Sequence, residues 1–302
     1  MPALYLVHGI AWTPAGPRLR LTSPDGTPEE MPMTVGTRLG FRVLDPQVFC
    51  LGSHRVHSAD DRKHVPCRLQ APAERGYQCV NCFLNDDLRF LHDSHRSGRA
   101  PEGLLLYLAQ PHWLYVATFA HGASKVGTAA NIRKSLRLAE QGAVAARYVA
   151  KTRDGRVVRV LEDMVSAATE LTQAVRSAAK YAGLLSPLPT DELGRINAGH
   201  AAAVRELLPS AQLEGFDVVD EQWQLPELAG PVLADGIRRG YPSSFDSGDH
   251  GLTAQGILGS VATVQLTEDG PLFLADLGRL KGRRIALGEF ASELPALQEQ
   301  LF

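Results

Sequence analysis

Trp113-Leu114-Tyr115-Val116-Ala117-Thr118-Phe119, His121-Gly122 and Ser124-Lys125-Val126 stand near the middle of a 302-residue chain and decide how it is read. The first stretch reads as a strand, the second as a turn and the third as another strand. Asn131–Gln141 then carries a helical pattern, with Asn131 placed as an N-cap and Gly142 just beyond the end, where a left-handed backbone is favoured. Ala145–Thr152 reads as a third strand, closed by an Asp154-Gly155 turn. From Val158 to Ala182 the residues Leu161, Met164, Val165, Ala168, Leu171, Val175 and Ala178 recur three and four apart, which predicts one long amphipathic helix.

On the N-terminal side of this α/β stretch, all four cysteines of the chain, Cys50, Cys67, Cys79 and Cys82, fall close together. A reducing compartment disfavours structural disulfides, and Cys79-x-x-Cys82 can place two thiolates on one tetrahedral zinc ion. The cluster is therefore expected to be a structural zinc site, with His54, His57 and His64 as imidazoles that can replace Cys50 or Cys67. The competing reading, a redox dithiol at Cys79 and Cys82, needs a βαβ context that the neighbouring sequence lacks. Between the cysteines and Trp113, Asp86–Gln110 reads as a helix, a break at Ser97–Pro101 and a second short helix. His92 and His95 share a face of the first, and Gln110-Pro111-His112 leads into the first strand, which puts His112 at the mouth of any site there.

Further out, Leu4–Val7 and Arg18–Leu21 alternate as strands, and so do Ser260–Leu266 and Pro271–Leu277 around a Glu268-Asp269-Gly270 turn. Gln255-Gly256-Ile257 near the end echoes His8-Gly9-Ile10 near the start, and the two ends are expected either to pair into one β structure or to stand as two ordinary hairpins. Pro187 and Pro189 precede one more helix at Asp191–Leu208. Gly240–Gly251 reads as a long polar loop offering Asp246, Asp249 and His250 as acid–base or metal groups, or simply as structure. The expected organisation is α+β: a β-rich unit at 1–49, a zinc-binding module at 50–85, a helical lead-in and α/β core at 86–185, and a helix with a β-rich unit at 186–302.

Tyr115 in its strand, Lys125-Val126-Gly127 in the next, Arg133 and Arg137 on the following helix and Glu162 on the long helix occur in an order that resembles the GIY-YIG nuclease core. Leu114-Tyr115-Val116 stands for the first motif and Lys125-Val126-Gly127 for the second, and the similarity covers roughly 113–182. With the cysteine cluster, Phe90-Leu91-His92, Gln110–Tyr115 and Glu140–Ala143 added, most of the chain resembles domain-of-unknown-function family 2797, which has no established activity. The resemblance implies a metal-dependent endonuclease in which Glu162 holds Mg²⁺ or Mn²⁺, Arg133 or Arg137 stabilises the phosphoryl group, and Tyr115 positions or deprotonates water. Lys125 stands where the second motif has a tyrosine, and an ammonium cannot take over a phenol's hydrogen bonding, although it binds phosphate as a point charge. Each of these residues also has an ordinary structural reading, as strand aromatic, solvated charge or helix-terminal carboxylate.

The whole-chain charge of −2 hides the asymmetry behind this reading. Residues 125–159 hold nine Lys/Arg against Glu140 and Asp154, whereas 184–302 hold eight against 17 acids. A DNA or RNA partner would dock on 125–159, because phosphate responds to the local field. At 44% hydrophobic and 21% charged, the composition excludes disorder and disulfide-dense scaffolds. Apolar runs are too short to span a bilayer and the N-terminus lacks a basic leader, so the chain is expected in the cytoplasm, with no membrane contact. Three functions stay open: a nucleic-acid-binding protein that hydrolyses phosphodiesters, a non-catalytic binding or regulatory module, and an enzyme on a small-molecule or aminoacyl substrate built on Tyr115, Lys125 and His112.

Overall fold

The strands at the two chain ends join one sheet. In the computed structural model, which describes residues 3–234 and 238–293, the chain divides into a terminal unit, Met1–Phe49 with Leu228–Phe302, and a central unit, Cys50–Glu227. The terminal unit begins with β1 (Leu4–Thr13), β2 (Gly16–Thr22), β3 (Pro28–Pro32) and β4 (Arg38–Val43). Alternation buries Leu19 and Leu21 of β2 and Leu39, Phe41 and Val43 of β4 on one face. β3 is an edge strand bounded by two prolines and carrying Glu29 and Glu30, features that discourage pairing with another chain.

The central unit opens with a two-stranded hairpin, β5 (Ser53–Val56) and β6 (Arg62–Val65), followed by α1 (Val80–Leu84), α2 (Ser94–Ser97) and α3 (Glu102–Leu108). Asp86–Gln110 is thus more broken than its sequence suggests: a 3₁₀ turn at Asp87–Phe90, started by Asp86 accepting from the Leu88 N–H, and a single turn that ends at left-handed Gly98. Then come β7 (His112–Thr118), β8 (Ser124–Ala130), α4 (Lys134–Gln141), β9 (Ala145–Thr152), α5 (Gly155–Ala168), α6 (Ser177–Leu185), α7 (Thr190–Leu207) and β10 (Phe216–Gln222). The sheet order is β10-β9-β7-β8, all antiparallel, so the strand of Tyr115 lies between the two strands that follow it in the chain. Leu114, Val116 and Val126 pack with Val158, Leu161 and Val165 of α5 and Ala201 and Val204 of α7 to form the core. Asn197 of α7 ties in by donating to the Val116 carbonyl and the Thr118 hydroxyl, each at 3.1 Å.

Three local expectations are corrected. The helix expected over 158–182 stops at Ala168, where the Thr169 hydroxyl donates to the Val165 carbonyl and accepts from the Leu171 N–H, turning the chain out. The following segment runs beside β8, with the Thr172 carbonyl accepting from the Val126 N–H, and Leu171 enters the same core without being helical. Asn131 is not a cap: it begins a 3₁₀ turn, and its side chain accepts from the Trp113 indole at 2.9 Å. The Asp154-Gly155 pair expected as a turn closing the third strand instead starts α5, with Asp154 as N-cap accepting from the N–H groups of Arg156 and Val157. Gly142 does take the left-handed position after α4.

The chain returns to the terminal unit with α8 (Gly230–Leu233), β11 (Gly248–Leu258), β12 (Val261–Gln265), β13 (Leu272–Asp276) and β14 (Arg284–Leu287). Among the described residues the sheet has eight strands, in the order β13-β12-β11-β4-β14-β1-β2-β3, and the pairing of Leu4 with Ala286 joins the two chain ends. Residues 248–251, expected in a loop, form the start of β11. Asp246 pairs with Arg283, Asp249 with Arg42, and buried His250 bonds Tyr241 and the Ser247 carbonyl, so these three groups hold the fold together. No helix among the described residues is long and apolar enough to cross a membrane.

Candidate functional site

Two sites lie within the central unit. In the first, the sulfurs of Cys50, Cys67, Cys79 and Cys82 all lie within 4.8 Å of one another, with Cys67 and Cys79 at 4.0 Å. Tetrahedral bonds of about 2.3 Å would place sulfurs about 3.8 Å apart, so the set fits a four-coordinate ion. Cys50 and Cys67 flank the β5–β6 hairpin, Cys79 sits at the N-terminus of α1 and Cys82 within it. Gly52 lets the chain turn here: its φ is +87°, and a Cβ would fall 2.2 Å from the Val65 carbonyl oxygen. Burial pushes the Cys50 and Cys82 thiols up. It acts in the same sense on Cys67, where hydrogen bonds from Ala71, Leu69 and neighbouring thiols overcome it and bring the group below its ordinary value. The histidines are not part of the set: His54 faces Asp86 at 3.4 Å, the His64 Nε2 lies 2.5 Å from the Leu51 carbonyl oxygen, and His57 is outside the cluster.

The second site is built on β7 and β8. Tyr115 and Gly127 are directly paired, and the phenol lies across the glycine: a Cβ there would meet the Tyr115 Cζ and Oη at 2.6 Å. The Tyr115 hydroxyl accepts from the Gln141 amide at 2.9 Å and from Arg137, one helical turn apart on α4. Burial pushes this phenol up, with Arg137 pulling the other way. Lys125 Nζ lies 5.8 Å from the centre of the same ring and donates to the Gln173 carbonyl at 3.4 Å. Burial, then Arg137 and Lys180, bring the Lys125 ammonium down to about 8. Lys180 is also brought to about 8, by burial and Arg137, while it donates to the Gln141 carbonyl at 2.9 Å. Glu162 is 4% exposed and accepts from Arg159, one turn earlier on α5, at 2.6 Å. Tyr115, Lys125, Arg137 and Glu162 therefore share one electrostatic environment, and it is largely buried.

Beside this cluster opens a cavity of about 350 Å³ lined by Arg62, Arg133, Arg137, Arg159, His92 and His112, with Leu88, Leu91, Tyr107 and Leu108 supplying apolar wall. Arg133 turns away from Tyr115 to Glu140 at 2.5 Å, so Arg137 is the helical arginine that reaches the tyrosine. His112 is 5% exposed in the cavity wall, with Nδ1 donating to the Gln110 carbonyl at 2.8 Å. Burial lowers the His112 imidazole; it lowers His92 too, joined there by Arg159, Arg137 and Lys125. His95 goes elsewhere, pairing with Asp163 at 2.9 Å.

Much of the basic charge of 125–159 is neutralised at the surface. Arg147 pairs with Asp220, Lys134 with Glu221 and Arg153 with Asp154, two of those acids coming from β10. Lys151 and Arg156 make no ion pair among the described residues, and Arg133, Arg137 and Arg159 of the same segment line the cavity. Arg62, which reaches it from β6 and lies over the Tyr107 ring at 5.3 Å, has no local sequence signal; Arg159 does, through its three-residue spacing from Glu162.

A lone carboxylate held by an arginine is a poor resident site for Mg²⁺ or Mn²⁺. Among the described residues no group of three or more acids or histidines gathers around Glu162. No family model matches this chain, and searches of curated proteins and solved structures find no match either.

Proposed function

We propose that the central unit binds nucleic acid by seating a phosphate among Arg62, Arg133, Arg137 and Arg159, on a GIY-YIG-like core stapled by zinc at Cys50, Cys67, Cys79 and Cys82. The single observation that carries this reading is the convergence of four guanidiniums from three separate segments on one cavity. Guanidinium groups match phosphate oxygens in pairs, and the partly buried setting strengthens each contact over its value in water. The resemblance to the GIY-YIG core draws support from the placement of the Tyr115 strand between the other two, and from the contact of Arg137 with Tyr115. Four closely spaced cysteines without a histidine suit zinc, whose closed coordination makes it a folding element rather than a reactive centre.

The test is binding of fluorescent DNA and RNA across a salt series. Wild-type protein should lose affinity as salt rises, and Arg137→Ala or Arg159→Ala should weaken binding and reduce the slope of log K against log salt by about 1 each. Binding indifferent to both substitutions contradicts the proposal.

Hydrolysis is the second reading, favoured by the shared environment of Tyr115, Lys125, Arg137 and Glu162. It requires Glu162 to leave Arg159, and divalent-dependent cleavage that vanishes in Glu162→Ala would establish it. If neither binding nor cleavage is observed, an enzyme on a small-molecule or aminoacyl substrate takes their place.

A further inference from the structure

The cavity has walls that the α/β core does not supply. Arg133, Arg137 and Arg159 come from the core, but the lining also includes Arg62 of β6, His92 and Tyr107, which belong to the hairpin between Cys50 and Cys67 and to the helical lead-in. These segments convert what would be a one-sided basic surface into a pocket of about 350 Å³, within the range of sites that enclose a small ligand. The charge count points the same way. Arg133 and Arg159 are each held by a glutamate, at 2.5 and 2.6 Å, whereas Arg62 and Arg137 make no ion pair among the described residues. An excess of two positive charges remains, carried by two guanidinium forks from separate segments of the chain. A phosphate monoester carries about −1.5 to −2 near neutral pH and presents three terminal oxygens. An internal phosphodiester carries a single charge and continues into chain on both sides.

Resting on the nucleic-acid reading above, we propose that this pocket selects a phosphate monoester, at a phosphorylated strand end or on a free nucleotide, over a phosphodiester inside a strand. Arg62 and Arg137 clamp the terminal oxygens. His92 stands beside Arg137 and Arg159, and Leu88, Leu91 and Tyr107 offer apolar contact to the attached sugar or base. Arg62 is the discriminating residue because it alone of the four arginines comes from outside the core.

The experiment is a fluorescence-anisotropy competition with the full chain, using a labelled single-stranded 5′-phosphorylated oligonucleotide as probe. Its competitors are 5′-phosphate, 3′-phosphate and hydroxyl-ended strands, a circular single strand, and adenosine monophosphate. A phosphorylated end should compete at least tenfold better than the hydroxyl-ended or circular strand, and Arg62→Ala should abolish that preference. Zinc content and melting temperature report whether Arg62→Ala folds; if it does not, Arg62→Lys must still reduce the preference, because an ammonium lacks the two-pronged fork. Competition by adenosine monophosphate as strong as by a phosphorylated strand assigns the site to nucleotides, and competition by strand ends alone assigns it to termini. Circular and end-phosphorylated strands competing equally would overturn the inference and leave the nucleic-acid reading standing. Adenosine monophosphate binding without any strand binding would retire the nucleic-acid reading and keep the monoester site. No binding by any of them would remove both.

Discussion

Replacing Glu162 by Gln removes one partner of the Arg159–Glu162 pair and keeps the side-chain shape. The carboxylate is 4% exposed and the Arg159 side chain 15%, so solvent does little to screen the 2.6 Å contact. Two unit charges about 4 Å apart interact by about 4 kcal/mol at an effective dielectric of about 20. Breaking a buried pair by deleting one member typically costs about 3–5 kcal/mol, because the other charge is left uncompensated. Arg159 borders the cavity and can turn toward its water, which brings the expected loss to about 2–3 kcal/mol. For a folding unit of this size that corresponds to a fall in melting temperature of roughly 4–12 °C. The same substitution frees a third guanidinium for ligand, so inorganic phosphate at constant ionic strength should raise the melting temperature of Glu162→Gln more than that of the wild type. Calorimetric melting of both proteins with and without phosphate reads the two effects together. A variant that melts with the wild type, or that gains no more from phosphate, would refute the reasoning.

The proposal of zinc at the four cysteines predicts one zinc ion per chain by native mass spectrometry, lost in Cys82→Ser along with a lower melting temperature; a wild type that carries no metal and melts with Cys82→Ser contradicts it. At Gly127, alanine would put a Cβ 2.6 Å from the Tyr115 ring, and overpacking of this kind costs about 1–3 kcal/mol, measured as a lower urea midpoint; an unshifted midpoint would show that the ring does not cross this strand. His92 and His112 are lowered from the ordinary 6.5, by burial first, so the unfolded chain takes up protons before the folded one does. Their contribution is present in full above about pH 6.5 and is lost as pH falls below it, so the urea midpoint should drop between pH 7.5 and 5.5. A flat profile over that range counts against both buried imidazoles. Asp163, held at about 2 by its hydrogen bonds to His95 and Arg96 against the opposing effect of burial, acts in a separate window below its ordinary 3.8.

The elements legible in the sequence were those whose signal is local. Short apolar runs bounded by turn residues located β7, β8 and β9, the glycine after Gln141 marked the end of α4, and cysteine spacing picked out a cluster that could hold a metal ion. Periodicity misled at Leu171, which reaches the same core as Val165 from extended chain, so a regular apolar spacing continued past the real helix end at Ala168. Asn131 carried a capping signal that a tertiary contact with Trp113 overrides. At the candidate site, residue type picked out Tyr115, Lys125, Arg137 and Glu162, but both Arg133 and Arg137 lie on the same short stretch, and only the fold shows that one faces Glu140 and the other Tyr115. The basic segment looked like a docking face because its neutralising acids, Asp220 and Glu221, lie far away in sequence on β10. Arg62 was invisible for the same reason, being brought to the cavity by a hairpin about fifty residues before Tyr115.

The claim that the arginine-lined cavity is the phosphate site is tested most directly by locating a phosphate mimic in crystals of the protein. Tungstate soaked at millimolar concentration gives an anomalous signal that needs no assumption about the natural ligand. The account predicts a tungstate within hydrogen-bond distance of both Arg62 and Arg137, absent in Arg137→Ala crystals grown and soaked in the same way. Tungstate bound along the outer surface of 125–159 with the cavity left empty would contradict it.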